Sequence, residues 1–507
     1  MMFKKIVAGI LGVMLFAMQP VQLTFAEEVQ VQDGDLNSEE KTAEQLAAEA
    51  ERKEALETPS ETDQLENWPA GPAVYAHSAI VMDMNSGAIL YSKKAEEKHF
   101  PASITKLLTT LVALENAELT DKVTFSQASV DILNWDDAHI GMRPGEEISM
   151  KDALRAVLLA SANEVSYAVA ESTGMTHLNG GYDTFIELMN TRAKELGCTN
   201  SHWVNPNGLH DEEHYTTAHD MALIASAVYQ QKEFRNIMNI LEYRIPPTNL
   251  VDEERVFQQN HKMLWPENAY YYEYCTGGKT GYTDQSGTTL VTMADNGELQ
   301  LAAVVLQDYG VDAYTDTKAM MEYVFNNFMK VPLAELGVTE TKDEIKSFTD
   351  ENAYVVLPKN LDTEKIKCEI KEDTKQNGTA VYTYEGQIIG KTKVLLKTNT
   401  NKKNIIRDED SKESKEEPVK STKKVIIAAV VVVLLLVVIA IVLFYWKYLR
   451  YKKWQESLGC GEDVRQNLAE DGKEVIPNLT SRRKDSRIWT ILNQKELKNI
   501  FKKEKVL

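Results

Sequence analysis

Ser103 and Lys106 stand three residues apart in Pro101-Ala102-Ser103-Ile104-Thr105-Lys106, and the apolar run Leu107-Leu108-Thr109-Thr110-Leu111-Val112-Ala113-Leu114 follows directly. On a helix that spacing places both side chains on one face of the first turn, within reach of each other. A lysine amine so placed can take the proton of a serine hydroxyl and make it a nucleophile. Pro101 suits a helix entrance, because its fixed φ is tolerated there and its missing N–H would be unpaired anyway. The positive end of the helix dipole, worth roughly 0.3–1 kcal/mol and up to ~2 when partly buried, favours a developing alkoxide and disfavours a second positive charge. A neutral, basic Lys106 is therefore easier to reach. The same spacing recurs at Ser38 and Lys41, Ser421 and Lys424, and Ser481 and Lys484, all in charged surroundings with no apolar helix behind them. Those three are read as coincidence.

Two further motifs can serve the same chemistry. Ser161-Ala162-Asn163 lies between two helical runs, so a hydroxyl and an amide two residues apart can face one cleft. Lys279-Thr280-Gly281 lies on or beside a strand, ahead of a hairpin that begins at Thr288. A cation, a hydroxyl and a glycine in that order can grip a carboxylate while the substrate backbone lies close against the strand edge. The plainer readings are that Ser161 and Asn163 cap the following helix and that Lys279 is an exposed strand cation. Asp220 is read as capping or bracing the helix over 221–229. His210-Asp211-Glu212-Glu213-His214 satisfies the H-x-x-E-H pattern of a zinc peptidase. It follows the turn sequence Asn205-Pro206-Asn207-Gly208, so a solvated loop is expected there, with no metal and no other cofactor.

Taken together and in order, these motifs are the S-x-x-K, S-x-N and K-T-G set of penicillin-binding proteins and class A β-lactamases. The chain resembles the low-molecular-mass penicillin-binding proteins of the D-alanyl-D-alanine carboxypeptidase family over roughly 74–398. The contexts Asn205-Pro206-Asn207-Gly208-Leu209, His214-Tyr215-Thr216-Thr217-Ala218-His219-Asp220-Met221 and Gly278-Lys279-Thr280-Gly281-Tyr282-Thr283 are part of that likeness. The resemblance implies an α+β fold, a penicillin-binding/β-lactamase-like transpeptidase domain. It also implies serine acyl transfer, in which Ser103 attacks the carbonyl between two D-alanines ending a peptidoglycan stem peptide, the last D-alanine leaves, and water releases the acyl-enzyme. Lys106 is then the acylation base, Ser161 relays a proton to the leaving amine, and Asn163 orients Lys106 and the substrate amide. Lys279, Thr280 and Gly281 form the carboxylate subsite. The backbone N–H groups of Ser103 and Tyr282 form the oxyanion hole, where one donor is typically worth about 2.7–4 kcal/mol. β-Lactam antibiotics would be covalent inhibitors. The chain departs from the family at Ala162, where glycine is frequent, and in having a full C-terminal span where many relatives have an amphipathic helix. Two other readings are a β-lactamase-like hydrolase, for which no deacylating carboxylate stands out, and a non-catalytic wall-binding homologue, against which the intact motifs argue.

The elements that must position these residues are legible in outline. At 507 residues the chain is long enough for two or more domains, and its net charge of −20 argues against a general nucleic-acid binder. Residues 1–26, with Lys4 and Lys5 ahead of an apolar stretch, have the layout of a secretory signal peptide. Residues 27–68, rich in Glu, Ala, Gln and Lys, read as an acidic disordered tether with some helix, ahead of a folded part that starts near Pro69. Strand-like runs at 79–84 and 88–91 flank Asn85-Ser86-Gly87, and runs at 288–294 and 299–306 flank Asp295-Asn296-Gly297-Glu298, both hairpin signals. With helices between them, 69–330 is expected to be one α+β domain whose sheet is closed by distant segments. Alternating runs over 331–398 predict a small all-β domain, followed by a linker at 399–422. Residues 423–446 predict a transmembrane helix, with an apolar run at 425–446. Phe444-Tyr445-Trp446 and Lys447, Arg450, Lys452 and Lys453 orient 447–507 as a basic cytoplasmic tail. The expected location is thus the cell membrane, single-pass in membrane lipid, with the catalytic domain outside the cytoplasm. Cys198, Cys275, Cys368 and Cys460 form no paired C-x-x-C and are read as isolated core or surface residues.

Overall fold

The unbroken apolar run Ala79-Ile80-Val81-Met82 of the strand Ser78–Asp83 serves two cores at once. Ile80 and Met82 join a cluster with Leu107, Leu111, Val304 and Leu306, whereas Ala79 and Val81 join another with Ala303, Val305, Met320 and Val324. Successive side chains of a strand point to opposite faces, so a strand buried along its whole length must have cover on both sides. That cover comes from helices on either face of a five-stranded antiparallel sheet. Its strand order is Ile89–Lys93, Ser78–Asp83, Gln300–Asp308, Gly287–Asp295 and Cys275–Thr283. The computed structural model describes residues 42–397 except 337–343, 362 and 375. The expected signal peptide, linker, membrane span, tail and Cys460 lie outside these residues. Among the described residues no helix is long and apolar enough to cross a membrane.

The first two strands of this sheet come from the start of the domain and the other three from its end, so the sheet closes across nearly the whole domain. The intervening helices Asn163–His177, Tyr182–Glu195 and Ala218–Gln230 surround the helix Lys106–Asn116, which is buried from Lys106 to Ala113. Asp312–Asn327 covers the opposite face of the sheet and runs directly into the strand Phe328–Pro332.

That continuity corrects the expected boundary at 330/331, which falls inside a strand paired with Tyr354–Pro358. A four-stranded antiparallel sheet follows, ordered Ile345–Phe348, Gln387–Leu396, Asn377–Tyr384 and Ile366–Glu372. This sheet is tied to the first hairpin, where Lys391 N–H donates to Ser86 O (2.7 Å) and Gln387 Nε2 to Ile89 O (3.0 Å), and the strand Tyr354–Pro358 is tied there too, its Tyr354 hydroxyl donating to Asp83 Oδ1 (3.0 Å).

A second correction concerns 27–68. Its described part is not disordered: Ala43–Glu57 is a helix and Glu61–Gln64 a short helical turn. The charges that suggested a solvated segment are used in specific pairs. Lys93, wholly buried, donates to Ala55 O (2.6 Å) at the C-terminal end of this helix and to Val74 O (2.8 Å). Glu61 accepts from Lys94 N–H (2.6 Å) and the Ser92 hydroxyl (3.0 Å). Arg52 pairs with Asp312 and lies over the Tyr75 ring, 4.4 Å from its centroid. Trp68 is buried against Phe328 and Tyr384. Replacing Lys93 by Met would leave two buried carbonyls without their donor. This variant is expected to lose about 2–3 kcal/mol in urea unfolding and to be cleaved faster within 42–60 by a protease. An unchanged unfolding midpoint would show that the lysine does not hold this segment.

Candidate active site

Ser103 lies in a tight helical turn, Ala102–Thr105, and the regular helix starts only at Lys106. The three-residue spacing still brings the two side chains together, because residues i and i+3 eclipse one another in such a turn. Ala102, just before the serine, is held at φ 49°, a left-handed conformation that is uncommon outside glycine. Hydrogen bonds clamp it there: Thr289 Oγ1 donates to Pro101 O (2.9 Å) and Thr105 Oγ1 to Ala102 O (2.8 Å). Thr105 Oγ1 also lies 2.9 Å from His214 Nε2, while His214 Nδ1 accepts from Val204 N–H (3.1 Å). His214 therefore carries its proton on Nε2, and burial lowers its pKa to about 3.

Lys106 is fully buried. Its Nζ lies 2.8 Å from Ser103 Oγ, 2.7 Å from Asn163 Oδ1 and 2.6 Å from Asn207 O. Burial, with the neighbouring Lys279 second, holds its ammonium well below the ordinary lysine range. A neutral amine has two N–H groups and one lone pair. The two carbonyl oxygens can only accept, so they take both N–H groups, and the lone pair is left to accept the Ser103 proton.

The Asn207 carbonyl is aimed by a self-bonded turn. Asn205 Nδ2 donates to Leu209 O (2.8 Å), Gly208 N–H to Asn205 Oδ1 (2.7 Å) and Leu209 N–H to Asn207 Oδ1 (3.1 Å). Thr109 Oγ1, on the helix that follows Ser103, donates to Pro206 O (2.7 Å) and seats the turn. Asn207 is the site residue that sequence reasoning passed over. Asn205-Pro206-Asn207-Gly208 announced a turn, but a backbone carbonyl carries no residue-type signature.

Ser161 occupies a break between helical segments, at φ 61° and ψ 28°, and Asn163 opens the helix Asn163–His177. The left-handed residue reverses the chain so that both side chains line one cavity with Ser103, Thr280, Gly281 and Tyr282. The cavity holds about 450 Å³, within the range of small-molecule sites. Glu164, next to Asn163, is buried. Its Oε1 accepts from Ile140 N–H (2.8 Å), and burial pushes its carboxyl above the usual range.

Lys279, Thr280 and Gly281 lie on the edge strand Cys275–Thr283, as the sequence order predicts. Lys279 is not the exposed strand cation of the plainer reading. It is buried, its Nζ donates to Thr280 O (2.7 Å), and burial alone pushes its pKa down to about 7. Gly281 is where strand and serine turn meet. A methyl group there would lie 2.9 Å from the Ser103 amide nitrogen and press on Thr289 Oγ1. A methyl group at Gly208, at φ 85°, would run into the Ala102 carbonyl. Tyr282 follows at the rim, with its ring largely exposed.

His210 and His214 lie on an irregular stretch instead of a helix, and both ring nitrogens of His214 are already engaged. His210 packs edge-on against Phe100. Cys198, Cys275 and Cys368 are free thiols.

The D-alanyl-D-alanine carboxypeptidase family, peptidase S11, matches residues 65–310, which contain every site residue named above. D-alanyl-D-alanine carboxypeptidase DacA of Escherichia coli (strain K12) is 30% identical over 310 residues, covering 57% of this chain and 73% of the relative. The chain belongs to the D-alanyl-D-alanine carboxypeptidase family. DacF of Bacillus subtilis is 27% identical over 361 residues, 65% of this chain and 87% of the relative. DacB2 of Mycobacterium tuberculosis is 30% identical over 249 residues, 48% of this chain and 77% of the relative.

Within this family member, Gly281→Ala is expected to force the strand away from the Ser103 amide. Covalent labelling of Ser103 by a fluorescent penicillin should slow at least roughly tenfold, the size of a partly lost oxyanion donor. Labelling at the wild-type rate would show that the close approach is not needed.

Proposed function

We propose that this chain is a serine-type D-alanyl-D-alanine carboxypeptidase that removes the terminal D-alanine of peptidoglycan stem peptides through an acyl-enzyme on Ser103. One observation carries the reading. The Lys106 amine is buried within hydrogen-bond reach of two carbonyl oxygens that can only accept, Asn163 Oδ1 and Asn207 O, and of the Ser103 hydroxyl. Ser103 Oγ attacks the carbonyl between the two D-alanines as its proton passes to Lys106 Nζ. The tetrahedral oxyanion is received by the Ser103 and Tyr282 amides. The proton then moves, through Ser161, to the amine of the leaving D-alanine as the C–N bond breaks. Water adds to the ester carbonyl with the same base, and Ser103 is regenerated. Asn163 fixes the Lys106 amine, and Lys279 and Thr280 form the end of the site that takes the terminal carboxylate. β-Lactams would acylate the same hydroxyl.

In the cell the proposed enzyme is exported by the 1–26 signal peptide and carries the small all-β module of 331–398 outside the cytoplasm. It is held in the lipid bilayer by 423–446 with its tail inside. Labelling by a membrane-impermeant penicillin in intact protoplasts tests this: Ser103 should react before lysis, and reaction only after lysis would reverse the orientation.

The chemistry is tested by D-alanine release from a peptide ending in D-Ala-D-Ala. Ser103→Ala should abolish release, and Lys106→Ala should lower kcat by about 10²–10⁴-fold, as for loss of a general base. Lys106→Arg should be equally inactive, because a guanidinium stays protonated and offers no lone pair. Wild-type activity in Lys106→Arg would remove lysine from the role of base.

The pH dependence has a worked sign. Acylation requires Lys106 without its extra proton, so kcat/KM should fall as pH drops through its depressed pKa. Lys279 contributes positive charge only below its own pKa of about 7 in the free enzyme, so KM for the free-acid peptide should rise on the alkaline side. A profile flat on the acid side would contradict the neutral-lysine reading.

A further inference from the structure

Directly ahead of the strand Cys275–Thr283 stands the run Tyr270-Tyr271-Tyr272-Glu273-Tyr274. Alternate members of this irregular segment lie along one face of the helix Asp312–Asn327. Tyr270 stacks on Tyr314 with centroids 5.3 Å apart, the Lys318 ammonium stands 5.7 Å from the Tyr272 centroid, and Tyr274 meets Phe325 edge-on at 5.6 Å. Tyr314 also lines the reaction cavity. Phe325 follows it by eleven residues of helix, so the row of rings leads roughly 16 Å away from that cavity. At the far end Tyr271, Tyr272, Tyr274 and Phe325 line a second cavity of about 390 Å³, with Glu322 and Asn326 in its wall. Tyr271 and Tyr274 are 40% and 37% exposed. Tyr272 is only 4% exposed, and its hydroxyl has no hydrogen-bond partner among the described residues. A buried hydroxyl without a partner costs about 1–3 kcal/mol, which a ligand hydroxyl in this cavity would offset.

Exposed rings beside a carboxylate and an amide fit a sugar. A pyranose has an apolar face of C–H groups, which lies well on the negative face of an aromatic ring, and a rim of hydroxyls that need both donors and acceptors. Glu322, which pairs with Lys318 (3.8 Å), and Asn326 supply these at the wall. A purely apolar occupant would leave the Tyr272 hydroxyl unpaired. The row of rings points to the source of the sugar, because it begins at the cavity where the stem peptide is cut, and that peptide hangs from an N-acetylated glycan chain. We infer that the second cavity is a saccharide subsite, holding a pyranose of the glycan strand while the stem peptide reaches Ser103. This inference rests on the carboxypeptidase reading and deepens it: the enzyme takes strand-borne peptides in preference to free ones.

The test measures sugar binding and catalysis separately, on the full chain in detergent. Chitotetraose, a β-1,4-linked N-acetylglucosamine oligomer, is titrated by calorimetry. D-alanine release is followed from a soluble pentapeptide and from isolated glycan strands bearing the same pentapeptide. The wild type should bind chitotetraose and show the higher kcat/KM on the strands. Tyr271→Ala and Tyr274→Ala should each weaken binding by about 3- to 10-fold, the worth of one ring contact, and lower kcat/KM on the strands by a similar factor, mainly through KM. Tyr274→Phe keeps the ring and should bind as the wild type does. Tyr272→Phe removes the unpartnered hydroxyl and should weaken binding by about 2- to 10-fold. Release from the soluble pentapeptide should stay within about twofold in all of these variants, since the reacting atoms are untouched. No binding of chitotetraose by the wild type, or binding that both alanine variants leave unchanged, would overturn the inference. Equal losses on both substrates would assign the rings a structural role and overturn it too. These results leave the carboxypeptidase reading standing. That reading, and the inference resting on it, falls if the wild type releases D-alanine from neither substrate, an outcome told apart by the sugar titration, which needs no turnover.

Discussion

A lysine amine sealed from water between two carbonyl oxygens and one hydroxyl is the arrangement on which the rest of this site depends. A charged ammonium in such a place pays a large desolvation penalty unless a carboxylate meets it. Here the immediate partners of Lys106 are Asn163 Oδ1, Asn207 O and Ser103 Oγ, none of them charged. The neighbouring Lys279 adds repulsion. Both effects favour the neutral amine, and the neutral amine is the form that can take a proton. Burial thus does chemical work as well as structural work. The helix behind Ser103 is buried along most of its length and places Lys106 deep, while the 205–209 turn and the helix opening at Asn163 bring acceptors to it from separate parts of the chain.

The same constraint explains the crowding at Ala102 and Ser103. Three backbones converge there: the serine turn, the edge strand at Gly281 and the turn at Gly208. Side chains at either glycine would collide with the serine turn. Ala102 takes up the remaining misfit as a left-handed residue held by Thr105 and Thr289. Strain of this kind, of order 1–3 kcal/mol, persists only where surrounding bonds over-determine it. The distant halves of the five-stranded sheet supply that rigidity, since Thr289 sits on a strand from the end of the domain and acts on a residue near its beginning.

Much of this was legible in the residues. Both hairpins, the α+β order and the placement of Lys279-Thr280-Gly281 on a strand followed from turn residues and alternation. The proximity of Ser103 and Lys106 followed from spacing alone, even though the regular helix starts a turn later than the spacing assumed. What stayed hidden was information that residue type does not carry. Asn207 acts through its carbonyl. The depth of Lys279 depends on which face of an edge strand is covered. The helix Ala43–Glu57 has a composition that reads as solvated, and it docks only because Lys93, Arg52 and Glu61 find partners far along the chain. The boundary near 330 was misplaced because the strand Phe328–Pro332 continues directly from the helix before it.

The most direct measurement of the central claim is the protonation state of Lys106 in the resting enzyme. Folded protein carrying ¹³C-labelled lysine would be titrated by NMR, with the Lys106 ε-carbon signal assigned by its absence from Lys106→Ala. The account predicts an amine that titrates well below the roughly 10.4 of a free lysine. A signal that stays in the ammonium position from about pH 6 to pH 10, close to the ordinary lysine value, would contradict it.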